Sequence, residues 1–154
     1  MNGDQEAGVL AAAKQLSIKD VVLAACRFER PAQGIPAVGT EVRQEHKRGV
    51  EYQVSEVEVE GGTERQLQVL VELGIRISAD APEGVEAPIY VQIEAEFVVV
   101  YEVIGEIEDS AISLFANFNA VHNAWPFWRQ HVFDLVQRAR LPQIEVPLFS
   151  GVKS

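Results

Sequence analysis

Cysteine and histidine are scarce in this chain: one and three among 154 residues. A lone thiol, Cys26, excludes an intrachain disulfide and a cysteine-rich zinc site. The histidines stand at 46, 122 and 131. On a helix, residues nine apart point about 180° away from each other, so His122 and His131 cannot share an ion. No metal and no cofactor are expected. Long apolar runs are also missing. Nothing approaches the ~20 residues of a membrane span, and no basic start leads into an apolar stretch. Positive charge is in the minority, 13 Lys and Arg against 23 Asp and Glu, for a net charge of -10. Such a surface repels phosphate backbones and anionic lipid. The expectation is a soluble cytoplasmic protein that binds neither nucleic acid nor membrane.

Catalytic patterns are equally absent. No serine sits in a nucleophile elbow, and Gly61-Gly62 lacks the lysine and spacing of a phosphate-binding loop. Cys26 lies between Ala25 and Arg27 in a strand-like stretch, the setting of a buried structural thiol. Glu56, Glu58 and Glu60 alternate on one strand face and read as solvated carboxylates. The chain is not expected to be an enzyme.

What the sequence does contain is period-two alternation followed by a helical period. Residues 1–17 read as a loose lead and residues 18–149 as one domain, with 150–154 as a tail. Ile18 to Phe28 forms a strand with two small or apolar faces, implying a layer on each side. Pro31, Gly34, Pro36 and Gly39 mark an irregular connection. Arg43, Lys47 and Arg48, diluted by Glu41 and Glu45, read as a solvated loop. Val50, Tyr52 and Val54 alternate, and Val57 and Val59 continue out of phase, which predicts a bulge near Ser55 and Glu56. Gly61-Gly62-Thr63 turns the chain into a strand through Leu67, Val69, Val71 and Leu73. The longest alternation runs from Ile89 to Val103, and its later part, with Val98 and Val100, is apolar on both faces.

After Asp109-Ser110, a helix cap, the period lengthens. Ala111, Leu114, Phe118, Val121, Trp125, Trp128, Val132, Leu135 and Ala139 step by three and four along one helical side. Pro126 predicts a break or kink. An α+β domain follows: a four-stranded antiparallel sheet with a long C-terminal helical region packed on one face. Phe133 falls some 140° from Trp128 on a helical wheel, and Phe127 about 100° to the other side. One sheet covers only the stripe, so these phenylalanines seek a second partner.

The stretch Trp125-Pro126-Phe127-Trp128-Arg129-Gln130, through Val136 and Arg138 to Leu141-Pro142-Gln143-Ile144, resembles the SecB family of chaperones. There an aromatic-Pro-aromatic-x-Arg run opens the main helix and a Pro-containing extended segment follows. Lys19-Asp20 resembles a Lys-Asp pair at the start of that family's first strand. The resemblance implies a homotetramer, a dimer of dimers with helices sandwiched between sheets. It also implies ATP-independent holding of unfolded or precursor polypeptides, with delivery to the SecA motor in the export branch. Asp20 and Glu29 are then the candidate SecA contacts. Candidate client-binding residues are Val98, Val100, Tyr101, Trp125, Leu148 and Phe149. Candidate oligomer contacts are Val22, Phe127, Phe133 and Val136. The sequence stops soon after Phe149, so the second C-terminal helix and acidic tail of the export chaperones are expected to be absent. Gln92 stands where the motor-docking surface is acidic. Both departures point to a divergent branch, such as a chaperone protecting an antitoxin. The alternative is a structural or adaptor homo-oligomer that binds no unfolded client.

Overall fold

The four alternating stretches form one antiparallel sheet, in the order β1-β4-β3-β2. The strands are β1 (Leu16–Glu29), β2 (Val42–Val59), β3 (Gly62–Ala79) and β4 (Ile89–Val103). The computed structural model describes residues 2–31, 39, 41–142, 144–147 and 149. The predicted connection through Gly34 and Pro36 and the tail from 150 onward lie outside them. Between β2 and β3 the turn needs glycine, because Gly61 and Gly62 both have positive φ (92° and 150°).

Residues paired across neighbouring strands point to the same side of a sheet. On one side, Leu67, Val69, Val71, Leu73 and Ile75 of β3 meet Val91, Ile93, Ala95, Phe97, Val99 and Tyr101 of β4, all buried. The helices cover this side. They are α2 (Asp109–Phe115), one turn of π-helix (Ala116–Ala120) and α3 (Val121–Arg138). Trp128 sits at the centre of the α3 contact and is 1% exposed. Burying such a ring is the largest single apolar contribution a core residue can make.

Several expectations need correction. The lead is not loose: α1 (Gly3–Lys14) is capped by Asn2, whose side chain and that of Gln5 satisfy each other's backbone N–H groups. Val9 and Ala12 are buried, and α1 packs against α2. Arg43, Lys47 and Arg48 lie within β2 rather than in a loop. An edge strand tolerates such charges: Arg43 and Lys47 point to the side away from the helices, and Arg48 to the helix side beside Phe149. No bulge occurs near Ser55, where pairing with β3 is unbroken from Val42 to Val59. Val57 and Val59 therefore point to the side away from the helices. Irregularities fall in β1 instead, between Ile18 and Asp20 and between Leu23 and Ala25.

In the helical region, Glu108 is the N-cap and contributes no side-chain cap bond, while Asp109 begins the first turn. Pro126 neither breaks nor ends α3. The departure from α geometry comes earlier, at the π turn, where the Asn117 side chain donates to the Ser113 carbonyl (2.8 Å). A π turn holds one extra residue and shifts the phase of everything before it. The buried line is accordingly Ile112, Phe115, Ala116, Ala120, Val121, Ala124, Trp128, Val132 and Val136. The predicted Ala111 and Leu114 are displaced by one residue, and Trp125, Leu135 and Ala139 lie at the flank.

Candidate functional site

Two sides of the sheet have different chemistry. The side away from the helices is polar and acidic. Across it, Gln53 donates to Gln68 (3.0 Å), Gln68 to Gln66 (3.4 Å) and Gln66 to Glu64 (3.0 Å). The Lys19 ammonium closes this row on the Glu64 carboxylate at 2.7 Å. That hydrogen bond holds the Glu64 carboxyl below its usual range and raises the Lys19 ammonium above its own. Further along, Lys47 meets Glu94 (3.0 Å) and Arg76 meets Glu45 (3.1 Å). Asp20 and Glu29, the candidate motor contacts, are on this side opposite Val100 and Gln92. Arg27 neutralises Glu29 at 2.7 Å. Val22, Val98 and Leu70 form a short apolar row between the polar ends.

On the helix side, the helices cover the two central strands and reach Val21 and Phe28 of β1 and Val50 of β2, while the rest of both edges is open. Ile18, Leu23 and Cys26 of β1 point to this side and are exposed. Cys26 is thus not the buried thiol expected: Val21 and Phe28 of β1 pack on the core, and Cys26 between them lies on the open part of the strand. Along β2 the uncovered strip becomes a groove. Its walls are Gln44 of β2, Pro126, Arg129, Gln130 and Phe133 of α3, and the extended segment that follows α3. The open space measures about 930 Å³.

That segment is held in a specific manner. Arg140, with φ 57°, turns the chain out of α3. Pro142 and Pro147 favour an extended backbone that cannot re-enter a helix. Three successive carbonyls then accept from side chains. Gln44 donates to Glu145 (3.1 Å), the Arg129 guanidinium to Val146 (3.1 Å) and the Trp125 indole to Pro147 (2.7 Å). Ile144, Val146 and Phe149 pack on the core. The Phe149 ring lies 5.3 Å from that of Trp125 and 6.3 Å from that of His122, with the Arg48 guanidinium 5.4 Å from its centre. Side-chain donors on main-chain carbonyls recognise an extended backbone whatever its sequence, while the ring box recognises an aromatic.

The predicted site residues do not form one surface. Trp125 and Phe149 meet in this groove. Tyr101 is 1% exposed, packed edge-on against Phe115 (4.9 Å) and bonded to Asn123 (2.6 Å), so it faces the core and not a client. Val98 and Val100 lie on the opposite side of the sheet. Leu148 is outside the described residues. Among the oligomer candidates, Val136 is 6% exposed and belongs to its own chain's core. Phe127 and Phe133 are 50% and 49% exposed on opposite flanks of α3, and Val22 is exposed on the far side of the sheet. Sequence reasoning missed Gln44, Arg48, His122 and Arg129. Gln44 and Arg48 share the sheet side of Val50 and Tyr52, but as polar residues they carry no hydrophobic period that marks them.

No family model matches the sequence, and no curated protein does. Among solved structures, the chain is similar to a SecB-like chaperone of Mycobacterium tuberculosis in complex with a ChAD peptide from the HigA1 antitoxin. The TM-score is 0.68 at 19% identity, over 92% of this chain and 96% of the other. The fold is SecB-like. The expected α+β architecture and the resemblance therefore hold at the level of the fold. In SecB-like terms, α2, the π turn and α3 form the main helical layer, and the groove lies between that layer and the β2 edge. Among the described residues no helix is long and apolar enough to cross a membrane, and no cluster of His, Cys, Asp or Glu is arranged to hold a metal ion.

Proposed function

We propose that this protein is an ATP-independent holdase that binds extended segments of unfolded polypeptides in the groove between α3 and β2. The observation that carries the proposal is the row Gln44, Arg129 and Trp125, whose donors bond to three consecutive main-chain carbonyls. Recognition through the backbone suits a protein with many clients. The peptide-bound SecB-like chaperone supports the same class of ligand, and an antitoxin is a fitting client here too. Asp20 and Glu29 remain the residues through which a SecA-type motor would dock.

Energetics favour assembly. At ~25 cal/mol per Å², a few hundred Å² of apolar burial yields only several kcal/mol before ordering costs. Several linked grooves reach useful affinity by avidity. The exposed Ile18 and Leu23 on β1, with Phe127 on α3, supply apolar area for a second copy along an unpaired strand edge. A cytoplasmic homotetramer, built as a dimer of dimers, is the proposed working form. The net charge of -10 keeps a loaded complex soluble.

Light scattering of a refolding client, at equal subunit concentration, tests this role alongside sedimentation. Suppressed aggregation by a tetramer is expected. An assembled protein that leaves aggregation unchanged for a range of unfolded clients is an adaptor instead.

A further inference from the structure

The groove is not vacant along its whole length. Ile144 to Pro147 and Phe149 lie along it, and they make the same contacts that an incoming chain would need. All three carbonyl-directed donors and the aromatic box are engaged by the protein's own segment. Yet the fit is partial: an open volume of about 930 Å³ remains between this segment, Gln130 and Phe133. That is near the upper end of ordinary ligand pockets, roughly 300–1,000 Å³.

We propose that residues 144–147 and Phe149 act as a built-in competitor, and that a client displaces them by presenting an extended stretch with an aromatic side chain to the Trp125–His122–Arg48 box. The proposal rests on the polypeptide-holding role above and adds its selectivity and its control. The open space beside Phe133 gives an incoming chain a first foothold. Exchange of carbonyls on the same donors then costs little, because each hydrogen bond lost by the resident segment is regained by the client. The aromatic position decides the competition, since Phe149 is the residue enclosed on three sides. An occupied groove lowers the apparent affinity by the fraction of time it stands open. Clients with aromatic residues in extended, Pro-tolerant stretches win, and polar chains do not.

The test uses the full chain and a fluorescein-labelled peptide with the sequence of residues 142–149. Phe149→Ala is expected to bind this peptide about tenfold more tightly than the unsubstituted chain, as the competitor loosens. A peptide with alanine at its final position is expected to bind Phe149→Ala about tenfold more weakly than the original peptide does. Hydrogen exchange across 144–147 in the unsubstituted chain should accelerate when peptide is added. Equal affinity for both chains, equal affinity of both peptides, or slower exchange on binding each overturns the proposal. If the unsubstituted chain suppresses aggregation while these results fail, displacement is wrong and the holdase role stands. If the peptide results hold and aggregation is unaffected, the reverse is true.

Discussion

The Trp125 indole N–H donates to the Pro147 carbonyl at 2.7 Å, tying the flank of α3 to the segment that follows it. This bond explains why an aromatic in this position is an indole. A phenyl ring could stack on Phe149 but could not reach the carbonyl. Trp125→Phe should therefore keep the fold and release the segment. The expected cost is about 1 kcal/mol, the usual net value of one such bond, read as faster hydrogen exchange at 144–147. Unchanged exchange there contradicts the contact.

Trp128 holds the core where Trp125 holds the groove, only three residues away. Trp128→Ala should destabilise the subunit by ~3–5 kcal/mol, measured by urea unfolding. A loss below about 1 kcal/mol would mean that α3 is seated on the sheet differently.

Tyr101 and His131 make opposite predictions for pH. Burial pushes the Tyr101 hydroxyl up to about 12, against a smaller lowering by its bond to Asn123. Its folded pKa lies above the ordinary 10.0, so the associated stability is complete below pH 10 and is lost as pH rises toward 12. Tyr101→Phe should lack this alkaline loss in melting curves.

His131 is shifted the other way. Burial lowers its pKa, with Asp134 opposing and Arg138 assisting. Its Nε2 is buried without a hydrogen-bond partner among the described residues, and its ring stacks on Trp128 at 6.2 Å. The folded state thus prefers the neutral imidazole. Stability is intact above 6.5 and declines as pH falls below it, because the unfolded chain takes up the proton first. His131→Phe should flatten the melting temperature between pH 7 and 5. A slope equal to that of the unsubstituted protein would place the loss elsewhere.

Phe133 lines the groove and is half exposed, and Phe127 occupies the other flank. Phe127→Asp should dissociate the assembly with little change in subunit melting, seen by sedimentation. Phe133→Asp, by the groove geometry, should weaken client binding by about tenfold or more, since a charge replaces an apolar wall. The sequence alone assigned both to subunit contacts, and an intact client affinity in Phe133→Asp would restore that assignment.

How much was legible follows from how strongly each element is patterned. β4 alternates over 15 residues, and its buried set matches the apolar phase from Val91 to Tyr101. The first half of β2 was hidden because an edge strand facing a groove needs no apolar face, so Gln44, His46 and Arg48 gave no period-two signal. α1 was hidden by its alanines and glycines, and only the Asn2 and Gln5 spacing betrays it. The stripe on α3 was found at Val121, Trp128 and Val132, and the part before it was placed one residue off, because a π turn leaves no mark in composition. The groove itself combines Gln44 with residues about eighty to one hundred positions away, and only the folded register brings them together.

If an unfolded polypeptide lies between α3 and β2, a photo-crosslinking residue placed at position 130 will touch it. Cross-links are expected from this position to an unfolded client, lost once the client folds, and none from the same residue at position 51 on the far side of the sheet. Cross-links from position 51 with none from position 130 would place the client on the opposite side of the sheet and rule the groove out.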